Sequence, residues 1–154
     1  MKLTQNFSLS ELTRSQTATR KGIVNQPDDE QLANLVALCE NVLQPIRDHF
    51  GTSVRISSGL RVPELNAAIG GSTTSDHCRG MAADIEVPSV DNLELARWIE
   101  NSGFAFRQLI LEYYDGTPDS GWIHVSYNPA DNKRQVLTAT KQGGKTVYLP
   151  GLVT

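Results

Sequence analysis

Three short runs in the last third of the chain limit the folds that are open to it. Residues 108–114, 122–127 and 135–140 are rich in branched and aromatic side chains, which is typical of β-strands. Turn-forming residues separate them, with Asp115-Gly116-Thr117-Pro118 after the first run and Asn128-Pro129 after the second. Strands that follow each other through short turns pair antiparallel. Because helical patterns precede these strands, the sequence predicts an α+β fold with an antiparallel sheet and helices packed on one side.

The strongest helical pattern lies before these strands. Apolar residues recur at three- and four-residue steps over residues 32–46. This predicts an amphipathic helix of roughly 18–20 residues that begins at Asp28 or Asp29 and ends near His49 or Gly51. Pro45 falls inside it and should kink the helix or end it early.

Two strands and two shorter helices are predicted between this helix and the late strands. Residues 54–58 and 82–87 have strand patterns, and residues 63–69 form a short helix with a proline in its first turn. Residues 90–102 form a further helix, for which Ser89 is the predicted N-cap.

The length of 154 residues is typical of one domain with its own hydrophobic core. Residues 1–27 are polar and are predicted to form an N-terminal arm over a compact domain of residues 28–154. Within this arm, Ser8 and Glu11 have the spacing of a capping box that begins a short helix.

The charge balance and the apolar runs exclude several classes of protein. The net charge of −3 argues against binding nucleic acid through a general basic field. No run of 18 apolar residues is present, and the N-terminus lacks the apolar stretch of a signal peptide. Cys39 and Cys78 have no paired spacing, so a disulfide framework is not expected. We therefore expect cytoplasmic synthesis, a monomer, and no nucleic-acid or membrane partner.

The histidines are the first sign of chemistry. His77 and Asp84 lie seven positions apart across a turn at Gly80, which allows the carboxylate to fold back toward the imidazole. His124 lies in the middle of a predicted strand. If its face of the sheet lines a cleft, the three side chains form the two-histidine, one-carboxylate ligand set of a catalytic zinc site.

Ordinary structural roles remain open for each of these residues. From the strand pattern alone, His124 is a satisfied core histidine, and Asp84 alone caps a turn. His49, at the end of the long helix, fits the negative end of the helix dipole better than a metal. A zinc site also needs a general base, for which Glu112 is the best candidate and Asp119 and Glu86 are weaker ones.

A larger set of motifs resembles the M15 family of zinc peptidases. The hallmark Ser-x-His-x-x-Gly-x-Ala-x-Asp is complete, and the resemblance extends over residues 6–128. The family contains D-Ala-D-Ala carboxypeptidases and phage peptidoglycan endopeptidases, and the small phage and prophage members are the most similar. The resemblance implies a hedgehog/D-Ala-D-Ala-peptidase-like fold. The segments that carry it are 57–61, Asn66, Gly70-Gly71, 75–84 and 122–126.

The resemblance also implies roles for individual residues. His77, Asp84 and His124 become the zinc ligands. Arg61 holds the substrate or the developing oxyanion, and Ser75 binds the substrate backbone or braces its loop.

A few residues near the motifs depart from the family pattern or have no known role in the family. Many members carry a Glu or His where this chain has Gly121 and Trp122, so Glu112 is assigned as the base from the layout of other relatives. Asp76 has no family role and is expected to be solvated. Cys78 is expected to be a free thiol and not a metal ligand.

The function implied is zinc-dependent hydrolysis of peptide bonds in peptidoglycan stem peptides, by a D-Ala-D-Ala carboxypeptidase or an endolysin-type endopeptidase. The partner is then peptidoglycan or its stem peptide, reached after release by a phage lysis system or as part of a virion. Two alternatives stay open: a non-catalytic metal-binding module of a cell-wall-binding or phage structural protein, and a housekeeping metalloenzyme that acts on a free dipeptide.

Overall fold

Helix starts coincide with side chains that cap free backbone N–H groups. The computed structural model describes residues 1–154. The predicted capping box begins α1 (Leu9–Thr13), where the Ser8 side chain accepts from the N–H of Glu11 and the Glu11 side chain accepts from the N–H of Ser8. Helix α2 (Gln16–Lys21) follows, and α3 (Asp29–Leu38) begins with a second capping box at Asp28.

The long predicted helix is present, and it passes Pro45 through a change of hydrogen-bond pattern. A π-helical turn, Cys39–Leu43, joins α3 to α4 (Gln44–Phe50). The N–H of Gln44 donates to the carbonyl of Cys39, five residues back. This wider turn accommodates a proline that has no N–H to donate. Gly51, in the left-handed conformation, ends the helix as predicted.

The cap of the later helix differs from the prediction. After α5 (Pro63–Ala68), helix α6 spans Asn92–Asn101 and is capped by Asp91, whose carboxylate accepts from the N–H of Leu93 at 2.8 Å. The predicted cap, Ser89, lies in the preceding turn with a φ of 70°. Ser89 therefore lies in the turn before the helix. The helix begins at Asn92, two residues later than predicted.

The strands form one short ribbon and one large sheet. The ribbon pairs β1 (Lys2–Thr4) with β2 (Phe7–Ser8), and neither was predicted. The sheet has six strands in the order β3-β4-β6-β5-β7-β8. These are β3 (Arg55–Ser58), β4 (Ala82–Glu86), β5 (Gln108–Glu112), β6 (Trp122–Ser126), β7 (Gln135–Gln142) and β8 (Lys145–Pro150).

The predicted α+β class is confirmed. The prediction of an antiparallel sheet is wrong for one pair of strands. Strand β7 pairs parallel with β5, while the other pairs are antiparallel. After β6 the chain passes the start of β5 through residues 127–134 and adds β7 at the free edge of β5. Because β6 already runs against β5, β7 then runs in the same direction as β5.

The two faces of the sheet have different roles. Alternating residues such as Ile85, Ile123 and Leu111 are completely buried on the face that packs against the helices. Phe7 and Leu12, from the first 27 residues, are part of the same core. The side chains between them on the strands face the other side, where Asp84, His124 and Glu112 lie. None of the helices combines the length and the apolar character needed to cross a bilayer.

Candidate metal centre

His77 is carried by a short and strongly fixed turn. The 3₁₀ turn Asp76–Arg79 begins at Ser75, whose hydroxyl accepts from the N–H of His77 at 3.2 Å. It ends at Gly80, which has a φ of 73°. A Cβ at Gly80 would lie 2.6 Å from the carbonyl oxygen of Gln31, so only glycine lets the turn pack this closely on α3.

Three hydrogen bonds from two other segments, helix α3 and the residue Arg61, hold this turn in place. The side chain of Gln31 donates to the carbonyl of Cys78 and that of Asn34 to the carbonyl of Arg79, each at 2.9 Å. The backbone N–H of Arg61 donates to the carbonyl of His77 at 3.0 Å. These hydrogen bonds fix the backbone position of His77 without help from a metal ion.

The expectation that Asp76 is solvated is wrong. Its side chain is 6% exposed and accepts from Arg79 at 2.7 Å and from Nε of Arg107 at 3.1 Å. Burial raises the pKa of Asp76, but the hydrogen bonds and charges of the two arginines lower it overall. Arg107 also bonds Asp131 at 2.6 Å. A buried charge needs such partners, and Arg107 comes from a part of the chain 31 positions away.

The three predicted metal ligands converge. Asp84 lies directly opposite His124 in the pairing of β4 with β6. Its Oδ1 is 3.3 Å from Nε2 of His77 and 3.1 Å from Nδ1 of His124. The candidate ligand atoms of all three lie within 4.8 Å of one another, close enough to share one ion.

The hydrogen bonding of His77 fits a metal ligand. Its Nδ1 is 2.7 Å from the carbonyl oxygen of Gly59, which can only accept, so Nδ1 carries the proton. In the neutral ring the lone pair is then on Nε2, the atom that faces Asp84. This is the usual arrangement by which a second partner orients a metal-binding histidine. Two imidazoles and a carboxylate are a donor set that suits zinc.

The charges of the three groups depend on each other. Burial raises the pKa of Asp84, but the imidazoles of His124 and His77, which donate to it when protonated, lower it below its usual range. Burial lowers the pKa of His77, and the hydrogen bond and charge of Asp84 only partly offset this. For His124 the effect of burial is outweighed by Asp84 and Glu112, and its pKa is raised. Asp84 therefore stays a carboxylate beside two imidazoles.

Glu112 lies next to the metal ligands and is the only one of the three base candidates in the cleft. It pairs with Trp122 across β5 and β6, and the indole N–H of Trp122 donates to its Oε2. Burial, followed by the charge of Asp84, raises the pKa of Glu112. Glu86 instead accepts from the side chain of Asn92, and Asp119 is exposed outside the cleft.

The structure explains why position 121 carries no acidic side chain. Gly121 has a φ of 63°, and a Cβ there would lie 1.9 Å from the carbonyl oxygen of Glu112. The chain approaches itself too closely for any side chain at this position. In this protein the acidic group near the ligands therefore comes from Glu112 on the neighbouring strand.

We expect Gly121→Ala to destabilise the protein and to reduce its activity. A strained backbone conformation costs about 1–3 kcal/mol, and relieving the clash moves the strand end that carries Glu112. The melting temperature and kcat measure the two effects. Gly116→Ala is the matched control, because Gly116 also has a positive φ in the same loop but no atom within 4 Å of its Cβ position. Equal losses in the two variants would contradict the role of the close approach.

All the predicted site residues line one cleft of about 730 Å³. Arg61 has a buried Nε without a hydrogen-bond partner. Several lining residues are not predicted from the sequence, of which Arg107 and Tyr148 are the most important here. Tyr148 lies on the unpredicted strand β8, although Thr146-Val147-Tyr148 after the Gly143-Gly144 turn is a strand signal. The predicted residues in the cleft are Arg61, Ser75, His77, Asp84, Glu112 and His124.

His49 and Cys78, which were not predicted as metal ligands, are not part of the metal-binding group. His49 is in the last turn of α4 and stacks on Trp98, with the ring centroids 4.1 Å apart. Cys78 is a partly buried free thiol and is not in the group of metal-binding side chains.

Comparison with known proteins gives one match. The family model described as Peptidase M15 matches residues 5–126, which include all three candidate ligands, Glu112 and Arg61. No curated protein sequence matches the chain.

Proposed function

The chain belongs to the peptidase M15 family and is a metallopeptidase, and from this premise we propose that it hydrolyses peptide bonds in the stem peptides of peptidoglycan. The observation that carries this proposal is the convergence of His77, Asp84 and His124 in a cleft that also contains Glu112 and Arg61. We further propose that zinc is the ion these three side chains hold.

Each residue of the cleft has a task in amide hydrolysis. Zinc, when bound, supplies Lewis acidity, which polarises a carbonyl and makes water easier to deprotonate. Glu112 takes the proton of the attacking water and returns it to the leaving amine. The pKa of Glu112 is raised toward neutral pH, which suits a group that must both accept and give a proton. Trp122 orients the carboxylate through its indole N–H.

Arg61 is suited to hold negative charge in the substrate. Its guanidinium stays charged and offers a planar fork of donors, and its Nε has no partner within the protein. It donates to the oxygen that becomes negative during attack or to a carboxylate of the stem peptide. Ser75 lines the same cleft and caps the turn that carries His77.

The setting we propose is phage lysis or a virion, in which the protein reaches the wall as an endolysin or as a particle component. This part of the proposal rests on the likeness of residues 6–128 to small phage and prophage members. The reaction products distinguish the two activities, because a carboxypeptidase releases the terminal residue and an endopeptidase cuts a bond inside the stem peptide.

We expect the zinc-loaded protein to release peptides from purified peptidoglycan, chelation to abolish the release, and added zinc to restore it. Mass spectrometry of the products identifies the bond. Free D-Ala-D-Ala as a parallel substrate separates a wall enzyme from a dipeptidase. Stoichiometric zinc without any release from the wall or from isolated stem peptides would instead support a non-catalytic metal-binding module.

A further inference from the structure

The face of the sheet that carries the metal ligands continues onto the β7–β8 hairpin. Ile110 lies opposite His124 on one side and opposite Leu137 on the other. In the next row, Glu112 is followed by Ala139 and then by Tyr148. Neighbouring strands are about 4.8 Å apart, so the backbone of Tyr148 lies about 10 Å from that of Glu112. The hairpin thus borders the candidate active site.

The hairpin adds apolar surface to this side of the cleft. The hairpin contributes two side chains to the cleft lining, Leu137 and Tyr148, and Ile110 lies between them and His124. Tyr148 is 53% exposed, although most large apolar side chains of the protein are buried. Arg61 and Ser75 reach the cleft from the segments next to β3 and β4, on the other side of the metal ligands.

The hairpin is held firmly against the strand that carries Glu112. The hydroxyl of Tyr113 is 2.7 Å from that of Thr146 on β8. The amino group of Lys141 lies over the ring of Tyr113, 5.7 Å from its centroid. The ring of Tyr113 lines the cleft, whereas Lys141 itself does not, and no charged side chain of the hairpin is part of the cleft lining.

A charged substrate side chain next to Leu137 and Tyr148 would lose water without gaining a charged partner from the hairpin residues that line the cleft, which is costly. An apolar side chain at the same place would gain from burial. We propose that the β7–β8 hairpin forms a specificity subsite, in which Leu137 and Tyr148 select a peptide residue with an uncharged, apolar side chain next to the scissile bond. Alanine is such a residue, and glutamate is not. This inference rests on the proposed peptidase function, and its residues lie beyond those matched by the family model.

Two stem-type peptides that differ only by alanine or glutamate beside the scissile bond test the subsite. The substitution is made on each side of that bond in turn. For one side, we expect zinc-loaded wild-type protein to prefer alanine by about tenfold or more in kcat/KM, since even one methylene in an apolar pocket is worth about 10–200-fold.

Tyr148→Lys is expected to reduce this preference by about tenfold, mainly through KM, because the new cation is a partner for glutamate. Tyr148→Phe should keep the preference, because the ring remains. Val153→Lys is the matched control: Val153 is 49% exposed and lies outside the cleft lining.

The outcomes separate the subsite from the peptidase function. If the wild-type protein cleaves stem peptides and Tyr148→Lys has the same preference as Val153→Lys, the subsite is overturned and the peptidase function stands. If no stem peptide is cleaved, the peptidase function fails. Calorimetry then measures the binding of the same peptides to the zinc-loaded protein. Tighter binding of the alanine peptide supports the subsite, and equal affinity for both peptides overturns it.

Discussion

Glu112→Gln is expected to lower kcat for stem peptides by about 10²–10⁴-fold, the usual contribution of a general acid–base, while zinc binding is retained. The amide has nearly the shape of the carboxylate and still accepts from Trp122, but it cannot take a proton from water. Glu112 is not among the three side chains that approach one another as metal ligands, so the ion should stay bound. Metal content and kcat are measured on the same preparation.

Glu86→Gln is the matched control for this variant. Glu86 is a partly buried glutamate on β4, which β6 separates from the strand of Glu112, and it is bonded to Asn92 and lies outside the cleft. The same change there removes a negative charge without touching the cleft, so kcat should stay close to wild type. An unchanged kcat in Glu112→Gln with zinc bound would remove Glu112 from the base role.

His77→Ala and His124→Ala are each expected to abolish stoichiometric zinc binding and, with it, activity. Loss of an outer partner of a metal ligand already costs about 10–100-fold in affinity or activity, and loss of a ligand from a three-residue set costs more. Elemental analysis of the purified variants measures the metal. Thermal unfolding provides a second measurement, because zinc at 100 times its Kd stabilises the wild-type protein by about 2.7 kcal/mol.

His49→Ala is the control for these two variants. His49 stacks on Trp98 and belongs to no group of metal-binding side chains, so its replacement should leave zinc stoichiometry at the wild-type value. It also shows how much stability a histidine contributes by packing alone. Full zinc occupancy in His77→Ala or in His124→Ala would show that the ligand set is wrong.

The part of the site that could be predicted depends on short-range geometry. Gly80 turns the chain between His77 and Asp84, so seven residues are enough to bring the imidazole and the carboxylate together. Alternation along β6 puts His124 and Trp122 on one face, and both line the cleft. The capping boxes at Ser8 and Asp28 were equally readable, because a cap acts within three residues.

The errors concern interactions between distant parts of the chain. Asp76 is buried because Arg107 reaches it, and no pattern near Asp76 announces that partner. The direction of β7 depends on which edge of β5 is free once β6 has paired with it. The cap of α6 is Asp91 and not Ser89, and Tyr114, 23 positions away, favours Asp91 by donating a hydrogen bond from its hydroxyl to that carboxylate.

The amino-acid sequence by itself determined the α+β class, the starts of α1 and α3 and the side chains able to bind a metal, because capping and residue periodicity act over a few positions. Only the tertiary structure decided that His124 meets Asp84, 40 positions away, that burial and Asp84 raise the pKa of Glu112, and that the β7–β8 hairpin closes one side of the cleft. Strand register and burial are set by contacts between segments far apart in the chain, and these depend on the packing of the whole core.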